Sequence, residues 1–363
     1  MSRDDVAGPI GHGLGEFELI ARFFERAGHA LPSRVILGIG DDCALLQPTP
    51  CMQWAVSSDM LVSGRHFFAD VDPCTLGHKA LAVNLSDLAA CGARPVGFTL
   101  ALSLPDADAA WLQSFSQGLF ALADAHDCPL VGGDTTRGPL TICITVFGEV
   151  PPHLALLRCG ARAGDDIWVS GTLGDAALAL QCLQGQQIRQ SQQSLPDDSA
   201  LLAANLPPAA LLAARQRLES PIPRLALGQA LRGIASAAAD VSDGLLGDLG
   251  HILQRSAVGA TLDAQTAMNL LATRAYMTGA EATFDIQNPT HAQALQLVLC
   301  GGDDYELVFT APALHRAQVL QAAADCATPV TRVGRIEAAP GLRVLSPDGT
   351  PLQGAWAGFD HFR

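Results

Sequence analysis

Residues 72–104 read DPCTLGHKALAVNLSDLAACGARPVGFTLALSL and contain a predicted helix followed by a predicted strand. Asp72 can cap the helix and Pro73 suits its first position, so we expect the helix to begin there. Apolar residues recur at helical spacing as far as Gly92, which can end the helix. The apolar run Phe98–Leu104 then predicts a strand. A helix followed at once by a strand is typical of layered α/β or α+β proteins.

The same alternation extends through both halves of the chain. We expect further helices near residues 15–24, 108–125, 175 onward, 225–231, 245–253 and 292–299. We expect further strands at residues 35–37, 54–59, 141–147, 167–171 and 307–310. The predicted fold class is therefore α/β (α+β), and a length of 363 residues favours two domains.

A proline pair in Val150-Pro151-Pro152-His153 marks the predicted domain boundary. We expect a loose tail at 1–13, an N-terminal sheet-plus-helices domain at 14–152, and a C-terminal α/β domain at 153–363. The stretch near 183–207 is rich in Gln, Ser and Pro, and we interpret it as a mobile surface insertion without a chemical role.

Composition and charge exclude several classes of protein. The net charge of −14 disfavours nucleic acid and anionic lipid as partners. The N-terminus has no apolar signal region and no apolar run is long enough to span a membrane, so we expect a cytoplasmic protein. The ten cysteines form no CxxC pair. Residues such as Cys91, Cys143 and Cys300 lie in apolar surroundings, which predicts small buried side chains and no zinc site.

Aspartates recur where apolar segments meet glycines or polar residues. The clusters are residues 40–42, 57–59, 84–87, 132–134, 240–244 and 301–304. Each aspartate could cap a helix or shape a turn, a pair could do acid–base work, or the set could bind divalent cations. Repetition of one pattern favours cations for the set as a whole. Magnesium fits best, because it bridges one or two carboxylates to substrate phosphates, and no P-loop is present to hold those phosphates otherwise.

Few cations accompany these carboxylates. Arg137, Arg158 and Arg224 are candidate phosphate contacts, although each could instead be a surface charge or a helix cap. His66, in Gly-Arg-His-Phe, could be a hydrogen-bonded turn histidine or a substrate contact, and the residues alone leave this open.

Motifs in a consistent order along nearly the whole chain resemble the thiamine-monophosphate kinase family. They are GEFELI, GIGDDCALL, VSSDMLVSGRHF, KALAVNLSDLAACGARP, VGGDTTRGPL, RAGDDIWVSGTLGD, DVSDGLLGDLGHI, GGDDYELVFT and GFDHF. The resemblance implies the two-domain architecture of the wider superfamily that includes aminoimidazole ribonucleotide synthetase, with ATP as co-substrate and several Mg²⁺ ions.

The resemblance also implies individual roles. Positions that match magnesium ligands are Asp42, Ser57, Ser58, Asp59, Asp87, Asp134, Asp240 and Asp243. Positions that match ATP contacts are Gly133, Asp134, Arg158 and Ser242, and those near the thiamine phosphate are His66, Asp303 and Trp356. The family usually has glutamate where this chain has Asp303. Trp356 could alternatively anchor the C-terminus by packing.

The implied reaction is transfer of the γ-phosphoryl group of ATP to thiamine monophosphate, which yields thiamine diphosphate, the last step of its biosynthesis. A phosphate monoester is largely dianionic at neutral pH, so it is already a nucleophile and we assign no general acid or base. The resemblance further implies a homodimer formed through the N-terminal domains.

Other interpretations remain open. A superfamily member could use another acceptor, such as a formamidine or selenide, although the glycine-rich segment at residues 11–15 has no cysteine for a selenide. A non-catalytic sensor of ATP and magnesium would be expected to have degenerate carboxylates. A zinc or redox protein is disfavoured by the cysteine spacing.

Overall fold

The computed structural model describes residues 15–26, 31–190, 206–278 and 283–353, apart from the side chains of Glu16, 186–190 and Thr278. The helices are α1 (Glu16–Phe23), α2 (Pro73–Ala90), α3 (Ala109–Ala125), α4 (Asp175–Gln190), α5 (Pro208–Glu219), α6 (Leu225–Ala230), α7 (Leu245–Ser256), α8 (Ala264–Met268), α9 (Arg274–Thr278), α10 (Pro289–Cys300) and α11 (Arg316–Asp325), with a 3₁₀ turn at Ala313–His315. The strands are β1 (Val35–Leu37), β2 (Leu45–Leu46), β3 (Gln53–Val62), β4 (Arg94–Leu104), β5 (Leu130–Arg137), β6 (Thr141–Val150), β7 (Asp166–Ser170), β8 (Ala237–Val241), β9 (Gly259–Asp263), β10 (Glu306–Ala311), β11 (Val330–Glu337) and β12 (Gly341–Leu345).

These strands form open sheets, and the mixed helix-and-sheet class predicted from the sequence is confirmed. β1 and β2 form a two-stranded antiparallel sheet. A four-stranded sheet has the order β3-β6-β4-β5, in which β4 and β5 are parallel. A six-stranded sheet has the order β12-β9-β11-β7-β10-β8. Its neighbouring strands are antiparallel except for β9 and β12.

The contacts divide the chain into two compact units. The first comprises the described residues up to Pro48 with Ser58–Leu81 and Val96–Thr145. The second comprises Thr49–Ser57, Ala82–Pro95 and the described residues from Val146 onward. The domain spans 14–152 and 153–363 stay predictions.

In the first unit, α2 begins where the sequence predicts and packs closely on α3. Asp72 Oδ1 accepts a hydrogen bond from the amide of Cys74 at 2.7 Å, which caps the helix. A Cβ on Gly118 would lie 1.8 Å from the Cys74 carbonyl oxygen, and one on Gly77 would lie 2.0 Å from that of Phe115. Only glycine fits at both positions, so the two backbones fix the spacing of the helices.

In the second unit, the three adjacent strands β7, β10 and β8, at one end of the six-stranded sheet, are fully buried. Every residue of β7, β8 and β10 is buried. Their apolar side chains join those of α4, α7 and α10 in one hydrophobic core. This core holds the end of β8 and the start of β10, so it positions the polar loop that follows β8 and the one that precedes β10.

The stretch near 183–207 is partly helical. Its first part continues α4 as far as Gln190, and α5 begins directly after it at Pro208. Residues 191–205 lie outside the described residues, as does the predicted tail 1–13, so both interpretations stay predictions. No helix in the described ranges is long and apolar enough to cross a membrane.

The cysteines are less buried than the sequence predicts. Cys91, Cys143 and Cys300 are half-buried, and Cys128 and Cys182 are buried. Cys91 directly follows α2 and Cys300 ends α10. The prediction was wrong for Cys91 and Cys300 because local apolar composition does not bury a side chain at a helix end, and for Cys143 because it lies on the half-buried face of β6.

Candidate active site

Asp87 lies on the last turn of α2, where Ser57 of β3 reaches it. Ser57 Oγ donates a hydrogen bond to Asp87 Oδ2 at 2.5 Å. Side chains alternate across a strand, so Ser57 and Asp59 share one face of β3 and Ser58 lies on the other. Ser58 Oγ donates to the carbonyl oxygen of Ile144 at 3.2 Å. The structure therefore pairs Ser57 with Asp87 and directs Ser58 towards β6.

The Asp87 carboxylate is partly removed from water, and two neighbours offset that cost. Burial raises the pKa of Asp87 above its ordinary value. The hydrogen bond from Ser57 and the positive charge of Arg158 act in the opposite direction, because both favour the ionised carboxylate. Asp87 is thus placed where a cation would be strongly attracted to it.

Asp240, the penultimate residue of β8, is the most buried of the predicted ligand carboxylates. Only 4% of its surface is exposed, and Ser86 Oγ donates to its Oδ2 at 2.8 Å. Ser86 directly precedes Asp87 on α2. Two consecutive residues of α2 therefore contribute to the predicted set. Ser86 donates a hydrogen bond to the Asp240 carboxylate, and Asp87 is itself a predicted ligand.

Ser242 and Asp243 follow β8 in a short loop whose amides are held by one side chain. Asp248 Oδ2 accepts from the amide of Ser242 at 3.0 Å and from that of Asp243 at 3.1 Å. Burial raises the pKa of Asp248 to about 6, and the neighbouring charge of Asp243 adds to the rise. Gly244 ends the loop at φ 109°, a conformation that L-residues rarely adopt.

The loop before β10 meets the Ser242 loop through the backbone. The amide of Asp303 donates to the Ser242 carbonyl oxygen at 2.9 Å, and the amide of Tyr305 donates to the Val241 carbonyl oxygen at 2.9 Å. Asp303 and Tyr305 have φ values of 68° and 50°, which are strained for residues with a Cβ. Segments predicted to contact ATP and the acceptor are therefore hydrogen-bonded neighbours.

Asp304, within this loop, and Glu306, the first residue of β10, have structural partners. Asp304 is fully buried and accepts from the amide of Gly174, just before α4, at 2.7 Å. Burial raises its pKa well above the ordinary value. Glu306, also fully buried, is bound by Arg224 and Arg217. In this cluster the turn-shaping interpretation holds for Asp304, and the role of Asp303 stays a prediction.

The three candidate arginines differ in their contacts and exposure. Arg224 is committed to Glu306, with its Nε 2.6 Å from Glu306 Oε2. Arg137 is largely exposed and lies 3.7 Å from the exposed Asp106. Arg158 is exposed, and its charge acts on both Asp87 and Asp248. Arg158 is therefore the candidate whose position bears on the carboxylates.

The predicted residues of the first unit lie on loops and on β5. Asp42 is exposed, and its amide donates to the Asp41 carboxylate at 2.8 Å. Asp134 is exposed on β5 beside Gly133. A Cβ on Gly133 would lie 1.9 Å from the Leu100 carbonyl oxygen, so β4 requires glycine there. Their assigned roles stay predictions.

His66 and Trp356 complete the predicted set. His66 Nδ1 accepts from the Val62 amide at 3.0 Å, which satisfies one ring nitrogen within a turn. The turn interpretation thus holds for Nδ1, and a substrate contact would have to use Nε2. Trp356 lies outside the described residues.

Two polar residues of this site were missed from the sequence. Ser86 and Asp248 both lie inside apolar helical segments, where a single buried polar residue is costly unless it has a partner. That cost is the signal by which they could have been found.

The oxygen donors of the site fit a magnesium ion that is held partly by substrate phosphates and water. Among the described residues, no group of three or more His, Cys, Asp or Glu side chains could hold a metal ion. Mg²⁺ typically takes one or two carboxylates and completes its octahedron with water and substrate phosphates. Asp87 with Ser57, and Asp243 beside the Ser242 loop, provide oxygen donors of that kind without an all-protein cage.

Two family models match the chain. Residues 40–150 match the AIR synthase related protein, N-terminal domain, and residues 162–346 match the corresponding C-terminal domain. A thiamine-monophosphate kinase of Salmonella typhimurium is 45% identical over 349 residues, covering 96% of this chain and 98% of that protein. The chain belongs to the thiamine-monophosphate kinase family.

Solved structures of family members agree with the fold. Thiamine-monophosphate kinase from Stenotrophomonas maltophilia K279a matches with a TM-score of 0.72 and 46% identity, covering 88% of this chain and 93% of that one. AaThiL complexed with AMPPCP and TMP matches with a TM-score of 0.66 and 26% identity, covering 87% and 89%. The two-domain architecture expected of the kinase family is therefore confirmed.

Proposed function

We propose that this chain phosphorylates thiamine monophosphate with ATP to give thiamine diphosphate and ADP. The observation that carries this proposal is the 45% identity to a thiamine-monophosphate kinase over 96% of the chain. The structure of AaThiL with AMPPCP and TMP supports both substrates, since AMPPCP is an ATP analogue. We propose that it does so in the cytoplasm, as expected from the sequence.

The main barrier to this reaction is electrostatic. The acceptor phosphate and the ATP γ-phosphate are both anionic, and like charges about 4 Å apart repel by several kcal/mol in a partly buried site. The acceptor is already largely dianionic at neutral pH, because the second pKa of a phosphate monoester is about 6. The residues must therefore bring two anions together in line, and they need not remove a proton.

Magnesium suits that task, and the carboxylates would hold it. When bound, Mg²⁺ neutralises phosphate charge and stabilises the loose transition state of phosphoryl transfer. Asp87, Asp240 and Asp243 of the second unit are the proposed ligands, with Ser57 as a further oxygen donor. The same role for Asp42, Ser58, Asp59 and Asp134 is carried by the sequence resemblance.

The remaining residues would position the two substrates. Arg158 is exposed and acts electrostatically on Asp87, so it can pair with an ATP phosphate. The loops of Ser242 and Asp303 are joined by a backbone hydrogen bond, which supports a donor contact next to an acceptor contact. His66 and Trp356 are proposed acceptor contacts, and no side chain is assigned as a general acid or base.

We also propose a homodimer that uses the exposed face of β3. β3 ends the described four-stranded sheet, and its face opposite Ser57 carries Trp54, Val56 and Met60. These side chains are 41%, 60% and 54% exposed. An edge strand with exposed apolar side chains favours association with another sheet.

A coupled ADP-release assay tests the proposed activity. ATP and Mg²⁺ are supplied with thiamine monophosphate, and free thiamine serves as the control acceptor. We expect turnover with the monophosphate and none with thiamine. Retained binding of AMPPCP without turnover on the monophosphate would instead indicate a superfamily member with another acceptor.

A further inference from the structure

Asp248 is a buried carboxylate that none of the proposed catalytic roles uses. It lies in the first turn of α7 and is 2% exposed. Its Oδ2 accepts two backbone hydrogen bonds, from Ser242 and Asp243. These are the two residues of the loop to which the resemblance assigns an ATP contact and a metal-ligand position.

The backbone of residues 300–303 packs against this loop on one side, and Asp248 holds its amides. The Ser242 carbonyl accepts from the Asp303 amide, so the peptide groups of Ser242 are fixed on both sides. The amide of Asp243 donates to Asp248 at 3.1 Å, and Gly244 follows it with a positive φ. The direction of the Asp243 side chain therefore depends on the position of the Asp248 carboxylate.

We propose that Asp248 is a positioning residue, which fixes the Ser242–Asp243 backbone so that both side chains face the bound metal and nucleotide. This inference rests on the proposed function of the Ser242 and Asp243 side chains. Asp248 acts through the loop backbone, because its Oδ2 accepts from both amides. A shift of about 1 Å in a reacting group can cost about 100-fold in rate, so the effect on activity can greatly exceed the effect on folding.

The chain offers a matched control in Asp175. Asp175 is also 2% exposed and lies in the first turn of its helix, α4. It accepts from the amides of Ala272 at 2.9 Å and Thr273 at 3.1 Å. The two aspartates therefore make the same kind of structural contact, but the amides that Asp175 holds belong to no proposed site residue.

The test compares Asp248→Ala, Asp248→Glu and Asp248→Asn with Asp175→Ala in the full chain. Each variant is assayed below its Tm, with Mg²⁺ titrated at saturating ATP and thiamine monophosphate. Binding of AMPPCP with Mg²⁺ is measured in parallel by calorimetry. Asp248→Asn keeps an acceptor oxygen in place, whereas Asp248→Glu keeps the charge but displaces it by one methylene.

We expect Asp248→Ala and Asp248→Glu to need about tenfold more Mg²⁺ and to lose about 10- to 100-fold in kcat/KM. Asp248→Asn should stay within about threefold of the parent chain, because both amides keep an acceptor. Asp175→Ala should lower Tm but leave the Mg²⁺ requirement unchanged. If Asp248→Ala does not fold, Asp248→Glu provides the same readout.

The positioning role would be overturned if the folded variant, Asp248→Ala or Asp248→Glu, had an unchanged Mg²⁺ requirement. It would also be overturned if Asp175→Ala showed an equal shift in that requirement. Failure of the proposed function is distinguishable from this result. In that case the parent chain does not phosphorylate thiamine monophosphate, and the AMPPCP–Mg²⁺ binding measurements still compare the variants.

Discussion

Asp87 combines a partly buried carboxylate with a 2.5 Å hydrogen bond from Ser57 and the nearby charge of Arg158. Asp87→Asn keeps the shape and removes the charge that would bind the metal. We expect a loss of about 100-fold or more in kcat with Tm nearly unchanged, measured by ADP release and thermal melting. Asp106→Asn, at an exposed carboxylate, is the control and should keep full activity. Full activity in Asp87→Asn would rule out its role as a metal ligand.

Arg158 is the arginine whose charge acts on the site carboxylates. Arg158→Ala should raise the KM for ATP about tenfold, since a charge-assisted hydrogen bond contributes about 1.5–3 kcal/mol. Because Arg158 is exposed, the Tm of the variant should stay within about 1 °C of that of the parent chain. Arg137→Ala should leave the KM for ATP unchanged. Equal KM values for the two variants would contradict a specific role for Arg158.

At the scale of single residues, the sequence indicates candidate carboxylates but not their partners. Asp87, Asp240 and Asp243 are candidates because aspartates recur beside apolar segments, and their role as metal ligands stays a prediction. The structural role of Asp304 could not be predicted, because its partner Gly174 lies far away in sequence and is brought near by the fold. The commitment of Arg224 to Glu306 was hidden for the same reason.

At the scale of elements, the start of β10 depends on a buried ion pair. Arg224 and Arg217 both bind Glu306, which is fully buried. Arg224→Ala leaves this carboxylate with fewer partners and should cost about 3 kcal/mol, which lowers Tm by roughly 6–10 °C. Scanning calorimetry measures the change, and Arg224→Lys should be intermediate. Ser170 Oγ also donates to Glu306 at 2.6 Å, and an unchanged Tm would show that Arg217 and Ser170 suffice.

A second buried carboxylate links β7 to α11 and β11. Arg316 and Arg332 hold the pKa of Asp166 below its ordinary value, because both stabilise its ionised form. The folded state therefore binds fewer protons than the unfolded state below about pH 4, and this stabilisation is lost as the pH falls.

Asp166→Asn should consequently be less stable than the parent chain at neutral pH, and the difference should shrink below about pH 4. Urea denaturation at a series of pH values measures it. A difference that stays constant, or grows, towards acid pH would contradict the assigned ion pair.

Elements were predictable where periodicity and caps agreed. α2 and α3 lie close to their predicted bounds, since Asp72 and Asp108 cap the two helices. β4 ends at Leu104 as predicted but begins four residues earlier, at Arg94. β5 was missed because Gly132 and Gly133 lie within it, and glycine normally weakens a strand. β8 was missed because its alanines carry little strand preference, and pairing with β10 determines its conformation instead.

At the scale of the whole molecule, the exposed face of β3 should decide the oligomeric state. Val56→Lys places a charge in the proposed interface, on the face opposite Ser57. Light scattering after size exclusion should show a dimer for the parent chain and a monomer for the variant. Leu320→Lys, at an exposed apolar side chain of α11, is the control and should remain dimeric. A parent chain that is monomeric would contradict the proposed dimer.

The central claim is direct transfer of a phosphoryl group to a phosphate acceptor. Phosphorus NMR of the chain with ATP, Mg²⁺ and thiamine monophosphate follows donor and product together. We predict that the γ-phosphorus of ATP disappears as the terminal phosphorus of thiamine diphosphate appears, one for one, and that chelation of the metal stops both. Release of inorganic phosphate in place of thiamine diphosphate, or turnover that persists after chelation, would contradict the account.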